Sequence, residues 1–257
     1  MQVVILCGGL GTRLREETEY RPKPMVPIGG RPILWHIMKT YAHHGHNEFI
    51  LCLGYKGEVI KDYFRNYNWN TSDVTLTLGQ NPQIDYHNSH GEEDWKVTLL
   101  DTGQSTQTGG RLKRALEYVN GDKFLATYGD GVTNSNINAS IDFHEQHGAL
   151  ATITAINPPG RFGALELDGD AVTAFKEKPE KERAYINGGF FVFDRKVGDY
   201  LTDDNCVLEQ EPMRELAAAN QIRAYKHDGF WQCMDTFREH QMLDGMWDNG
   251  TAPWKVW

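Results

Sequence analysis

Cysteine is scarce in this 257-residue chain, and the four present, Cys7, Cys52, Cys206 and Cys233, never fall in C-x-x-C spacing. That excludes a zinc ribbon and offers no disulfide framework, so a reducing, cytoplasmic setting is expected. Cys7 and Cys52 close apolar runs and read as small core residues. Long hydrophobic runs are also missing: none approaches the roughly 20 residues that span a bilayer, so no membrane partner is expected. The first apolar run has no basic segment before it and ends in Gly8-Gly9 rather than a cleavage site, so a signal peptide is not expected. Positive charge is in deficit, with 26 Lys and Arg against 35 Asp and Glu and a net charge of −9. A nucleic-acid partner normally shows as a basic face, so none is expected. Anionic small molecules would need positive charge supplied locally, and Arg13, Arg15, Arg21 and Lys23 form such a cluster. There is no internal repeat and no linker rich in Pro, Gly and Ser, which points to one domain over residues 1–257.

What is present begins at the N-terminus. The apolar run Val3-Val4-Ile5-Leu6 is followed by Gly8-Gly9-Leu10-Gly11-Thr12-Arg13-Leu14, with Lys23 nine residues further on. A glycine loop after a buried strand lets backbone N–H groups approach phosphate oxygens, and two nearby cations can neutralise developing charge. The loop is not a Walker A motif, because no Lys followed by Ser or Thr closes it. It is not a dinucleotide fingerprint either, because Leu14 stands where the third Gly or Ala belongs. His43, His44 and His46 lie around Gly45 and read as a helix-ending turn rather than a metal site.

The first half alternates strand and helix. Buried strands are expected at 2–7 and 49–53, with an amphipathic helix between them, Ile33 to His43, that Pro32 opens at the favoured first position. A helix follows Gly54-Tyr55-Lys56-Gly57, strands recur at 74–78, 97–100 and 123–128, and a helix at about 110–119 precedes the last. The polar stretch 79–95 interrupts this pattern as a long loop. The second half is richer in strands, at 150–156, 163–168, 171–176 and 189–193, with helices near 207–219 and 235–247. The fold class is therefore α/β, with a Rossmann-like, mostly parallel central sheet flanked by helices and a strand-rich second half. Ligands in such sheets bind at the carboxyl ends of the strands, where both the glycine loop and Asp130 fall.

Five motifs in order carry a family likeness. They are G-G-x-G-T-R-L, the downstream Pro22-Lys23-Pro24-Met25, the aspartate in Gly129-Asp130, Glu177-Lys178-Pro179, and Asn187-Gly188-Gly189. Together they resemble the sugar-phosphate nucleotidyltransferase family over residues 1 to about 240. The strings Trp35-His36-Ile37-Met38-Lys39, Tyr128-Gly129-Asp130-Gly131 and Pro158-Pro159-Gly160-Arg161-Phe162-Gly163 are similar to the branch of that family that acts on CTP and glucose 1-phosphate. The resemblance implies CDP-glucose and pyrophosphate as products, entry into deoxysugars of surface polysaccharide such as O antigen, Mg²⁺ as cofactor, and a homo-oligomer. It implies that residues to about 135 bind nucleotide, that 136–240 bind sugar phosphate, and that 241–257 form a tail.

Residue by residue, it implies that Leu6, Cys7, Gly8, Gly9, Leu10, Gly11 and Thr12 cradle the triphosphate. Arg13, Lys23 and Asp130 are then catalytic, Arg13 toward the departing phosphates and Lys23 toward the α-phosphate. Thr106, Gly110 and Arg111 read the base, with Gly110 admitting the ring to the backbone. Gly163, Glu177, Lys178 and Asn187 hold the sugar phosphate, and Asp130 and Asp235 hold the metal. Hard carboxylate oxygens suit Mg²⁺ shared with substrate phosphates. The chain departs from the family pattern at Cys7, where alanine is usual, and at Cys233, where proline is usual beside the aspartate. Base choice does not follow from the residues themselves, so a uridylyl- or thymidylyltransferase and a non-catalytic nucleotide-sugar-binding homologue stay open. Trp247, Trp254 and Trp257 and the 79–95 stretch are candidate subunit contacts, and a tail folded onto its own domain is the alternative.

Overall fold

The computed structural model describes residues 1–88, 92, 94–158, 164–168, 171–176 and 184–257. Its centre is a seven-stranded sheet built from β1 (Val3–Leu6), β2 (Glu48–Leu53), β3 (Lys96–Asp101), β4 (Lys123–Tyr128), β5 (Ala151–Ile156), β6 (Ile186–Asp194) and β7 (Ile222–His227). The strand order is β7-β5-β6-β4-β1-β2-β3. All pairings are parallel except those of β6, which runs antiparallel to both β4 and β5. The mostly parallel sheet is thus as expected.

Why β1 and β2 are uninterrupted apolar runs follows from their position. Val3, Ile5, Phe49, Leu51 and Leu53 join a core on one face, while Val4, Ile50 and Cys52 join a core on the other. A strand covered on both faces has no polar side to show. The first core is closed by α1 (Ile33–His43), the second by α3 (Thr108–Ala115) and α5 (Glu211–Ala218). The longer of the other helices are α2 (Gly57–Arg65), α4 (Ile137–His147) and α6 (Phe237–Asp248). Each large apolar side chain sealed this way stabilises the fold by roughly 1.5–3 kcal/mol. Among the described residues no helix is long and apolar enough to cross a membrane.

Several local expectations need correcting. Helix α1 runs over the expected residues, Ile33–His43, but Pro32 is not its first residue. It sits one residue earlier, as the N-cap, in a two-residue pairing of Arg31–Pro32 with Pro27–Ile28. The strand at 74–78 is Asp73–Thr77, and it lies outside the main sheet. Its partner is Gln83–His87, so part of the polar stretch forms an antiparallel ribbon rather than a loop. The α3 helix starts at Thr108 and ends at Ala115, several residues before the expected end. Ala164–Asp168 and Ala171–Lys176 pair with each other as a separate hairpin. Helix α4 and strand β7 were not expected.

The C-terminal tail folds back onto its own domain. Trp254 is fully buried, stacks on Phe230 at 5.6 Å and meets His36 edge-on at 6.1 Å. His36 Nε2 donates to the Ile28 carbonyl at 2.9 Å, leaving Nδ1 to accept from the Trp254 indole at 3.4 Å. Burial pulls the His36 ring down to about 4, so it is neutral at pH 7. The other histidine group is also used locally. His44 caps α1, and His46 lies within 3.1 Å of the Asn138 amide oxygen.

Candidate active site

The glycine loop leaves the end of β1, and its path is set by the residue behind it. The Arg111 guanidinium is buried on α3 and fills the space where a Cβ on Gly8 would lie 2.1 Å from Nη1. Nη1 donates to the Leu53 carbonyl, Thr102 Oγ1 and the Gly103 carbonyl at 2.9, 2.7 and 2.8 Å. Nη2 donates to the Gly8 and Gln104 carbonyls at 3.1 and 3.3 Å. A planar fork of donors can tie several acceptors together at once. Arg111 therefore binds the glycine loop to the 102–104 segment, and both nitrogens are committed to the protein.

In front of the loop, two cations and two carboxylates meet. Lys23 stands on the short helical turn Lys23–Met25, and its Nζ lies 2.6 Å from Asp130 Oδ2 and 2.5 Å from Asp235 Oδ1. Arg13 Nη1 reaches Asp235 Oδ2 at 3.0 Å from a largely exposed position. The two aspartates are far apart in sequence, and a small ribbon brings them together. Gly131–Thr133 pairs antiparallel with Trp231–Cys233, and the Met234 N–H donates to the Asp130 carbonyl at 2.9 Å.

Asp235 is fixed from several directions. Its own N–H donates to Glu239 Oε2 at 2.8 Å, next to the Thr236–Glu239 capping box that starts α6. Cys233 Sγ lies 3.6 Å from Asp235 Oδ2, so the cysteine that replaces the family's usual proline still contacts the carboxylate. Burial and then the Asp235 and Asp130 charges push that thiol up to about 12, which keeps it protonated. Burial pushes Asp235 up, but the Lys23 hydrogen bond and charge, followed by Arg13, hold it below the ordinary carboxylate range. For Lys23, burial disfavours the charge, yet Asp130 and then Asp235 outweigh it and raise the ammonium.

Two cavities open on this cluster. The first, about 360 Å³, is lined by the glycine loop, Lys23, Thr106, Gln107, Thr108 and Arg111 among others. The second, about 560 Å³, carries Asn187, Gly188, Gly189, Glu209 and Trp231. Arg13, Gln107, Thr108, Tyr128, Asp130 and Asp235 belong to both walls, so the cavities share a boundary at the charged cluster.

Most of the residues expected at the site converge there. Leu6, Cys7, Gly8, Gly9, Gly11, Thr12, Arg13, Lys23, Thr106, Arg111, Asp130 and Asp235 line the first cavity, and Asn187 lines the second. Two do not. Leu10 points outward, 56% exposed, and lines neither cavity. Gly110 packs inward, where a Cβ would lie 2.7 Å from the Asp203 carbonyl oxygen, so its missing side chain admits that segment rather than a base. Gly163, Glu177 and Lys178 lie outside the described residues.

Several wall residues were not expected, Tyr128, Trp231 and Glu209 among them. Tyr128 precedes the Gly129-Asp130 motif by one position, a signal in plain view. Trp231 donates from Nε1 to the Gly188 carbonyl at 2.6 Å on the second cavity's wall. Glu209 has no local motif at all.

The chemistry available is the meeting of two anions. A phosphate chain can lie along backbone N–H groups and cations in the first cavity, and a second polyhydroxy ligand can lie in the other, with the charged cluster between them. Asp130 and Asp235 are hard oxygen donors already gathered around one positive charge, the Lys23 ammonium, so the pair fits a divalent cation that is also held by phosphates.

Comparison with known proteins gives relatives along the whole chain. The family model described as nucleotidyl transferase matches residues 2–246. Glucose-1-phosphate cytidylyltransferase of Salmonella typhi is 55% identical over 258 aligned residues, covering the full length of both chains. Among solved structures, HddC from Yersinia pseudotuberculosis is similar with a TM-score of 0.69 at 22% identity, covering 96% of this chain and 99% of that one. A UDP-glucose pyrophosphorylase complexed with UDP-glucose gives a TM-score of 0.68 at 13% identity, covering 97% and 98%. These two structures share the fold.

Proposed function

The chain belongs to the nucleotidyl transferase family, and from that premise we propose that it transfers the cytidylyl group of CTP to glucose 1-phosphate, giving CDP-glucose and pyrophosphate. The observation that carries the reading is the charged cluster of Arg13, Lys23, Asp130 and Asp235 on the boundary between two cavities. The choice of cytosine and glucose is supported by the Salmonella typhi relative rather than by any one side chain.

In this reading the triphosphate lies along the backbone of Leu6 to Thr12, with the base against the Thr106–Arg111 segment. An oxygen of the sugar phosphate attacks the α-phosphorus, the bond between that phosphorus and the bridging oxygen of the β-phosphate breaks, and pyrophosphate leaves with the electron pair. There is little covalent work for the protein, so alignment and charge neutralisation dominate. Lys23, a flexible point charge, follows the α-phosphate, and Arg13 offers its planar fork to the departing phosphates. Both must exchange their aspartate partners for phosphate when substrate arrives. Asp130 and Asp235 would hold Mg²⁺, which supplies polarisation of the phosphoryl oxygens when bound. Arg111 keeps the loop and the 102–104 segment in register. Asn187 contacts the sugar, with Gly163, Glu177 and Lys178 in the same group.

The division of labour runs by halves, nucleotide to about 135 and sugar phosphate from 136 to 240, within one domain. The product feeds deoxysugar synthesis in the cytoplasm, toward surface polysaccharide such as O antigen. Assembly into a homo-oligomer is supported by the ribbon Asp73–Thr77 and Gln83–His87, which exposes Leu76, Ile84 and Tyr86.

The test is pyrophosphate release with glucose 1-phosphate, Mg²⁺ and each nucleoside triphosphate in turn. Release with CTP and formation of CDP-glucose is the expected result. Turnover with UTP or dTTP alone overturns the cytidine assignment, and no turnover with any pair favours the non-catalytic reading.

A further inference from the structure

The carboxylates of the two cavities are not alike. Asp130 and Asp235 are neutralised by Lys23 and Arg13. Glu209, on the loop that leads into α5, makes no ion pair among the described residues. Its two oxygens instead accept from neutral hydroxyls, Oε1 from Tyr128 and Oε2 from Thr108 Oγ1 at 2.7 Å. The network continues on both sides. Asn187 Nδ2 donates to the Tyr128 oxygen at 3.3 Å, and Thr108 Oγ1 accepts from the Leu208 N–H at 2.9 Å. Glu209 thus ties the wall around Asn187 to the first residue of α3, and it lines the second cavity but not the first. Lys23 lines the first but not the second. Among the described residues the combined site is therefore polarised, with cations at the boundary and a carboxylate without an ion pair beyond it.

We propose that Glu209 is a specificity-determining residue that excludes hexose 1-phosphates bearing a second anionic group on the sugar ring. The inference rests on reading the second cavity as the sugar-phosphate site. A carboxylate accepts hydrogen bonds and donates none. It therefore suits the hydroxyls of a neutral hexose and repels a carboxylate or phosphate brought beside it in a partly desolvated cavity. The same charge fixes the direction of entry, because the single phosphate of the correct substrate is drawn to the Lys23 and Arg13 end. Holding Tyr128 and Asn187 in place is a second, separable effect of the same side chain.

The test compares kcat/KM for glucose 1-phosphate and for glucuronic acid 1-phosphate, which differs by a carboxylate at C6, in the wild type and in Glu209→Gln. Glutamine keeps the shape and an acceptor for Tyr128 while removing the charge, and residue 209 is exposed, so the fold is retained. Expected is a strong wild-type preference for glucose 1-phosphate that narrows by at least roughly tenfold in Glu209→Gln. The change is expected in KM for the anionic sugar, with KM for CTP unaltered. In Tyr128→Phe, which keeps the carboxylate, the preference is expected to persist. A preference unchanged in Glu209→Gln, or a wild type that accepts both sugars equally, overturns the inference while leaving the cytidylyl reading intact. Absence of CDP-glucose from the wild type with glucose 1-phosphate overturns the cytidylyl reading and the inference with it.

Discussion

Replacing Lys23 with methionine is the sharpest probe of the charged cluster. The variant keeps an unbranched stem of similar length and deletes the ammonium that sits 2.6 Å from Asp130 and 2.5 Å from Asp235. Hydrogen bonds to charged groups contribute about 1.5–3 kcal/mol each, so two of them set an upper range of about 3–6 kcal/mol. Both carboxylates keep some water, being 30% and 22% exposed, and solvent replaces part of what is lost. A loss of about 2–4 kcal/mol at pH 7 is expected, or roughly 4–16 °C in the midpoint for a domain of this size.

The pH dependence of that loss is distinctive. Asp235 is pushed up by burial but depressed overall by Lys23 and Arg13, so it stabilises the fold above its unfolded value of about 3.9, and that stabilisation disappears as pH falls through the folded value. Lys23 is raised on folding, so its own contribution is fully present below about pH 10.4 and fades only at higher pH. The gap between wild type and Lys23→Met is therefore full at pH 7 and narrows progressively below about pH 5. Urea unfolding followed by tryptophan fluorescence at several pH values measures it. A loss below about 1 kcal/mol at pH 7, or a gap that widens on acidification, refutes the reasoning.

Arg111→Met removes five hydrogen bonds, three of them to buried acceptors (the Leu53 and Gly8 carbonyls and Thr102 Oγ1), so it is expected to cost about 4 kcal/mol, with Arg111→Lys recovering little because one ammonium cannot span them. Thermal unfolding checks it, and a lysine variant close to wild type would show that a point charge suffices. Truncation after Asn249 deletes the fully buried Trp254, with an expected loss of about 3–5 kcal/mol. It also exposes His36, whose ring is expected to titrate well above its present value of about 4 in an NMR pH series. Because the tail packs within its own domain, the subunit count by light scattering is expected to be unchanged.

What the sequence made legible was whatever depends on a few neighbouring residues. The uninterrupted runs of β1 and β2 reported burial on both faces, and the glycine loop, Lys23 and Asp130 reported their own positions at one edge of the sheet. What stayed hidden depends on partners remote in sequence. The second strand of the ribbon, Gln83–His87, stands outside the main sheet, so its alternation with polar residues looked like a loop. The α4 helix, with Asn136 capping Ala139, carries few large apolar residues, and β7 is an edge strand only partly buried. Gly110 has the composition of a ligand-facing glycine, yet the Asp203–Asp204 backbone fills the space beside it.

Glu209 marks the limit most clearly. No spacing or neighbour singles it out from the other acidic residues of an acidic chain. Its meaning comes from the contrast with Asp130 and Asp235, which share the site but have cations beside them. A charge acquires a role in a cavity through what fails to neutralise it, and that is a property of the folded surroundings. Exchanging Glu209 for its neutral isostere tests that contrast without disturbing the aspartate pair on which turnover is proposed to depend.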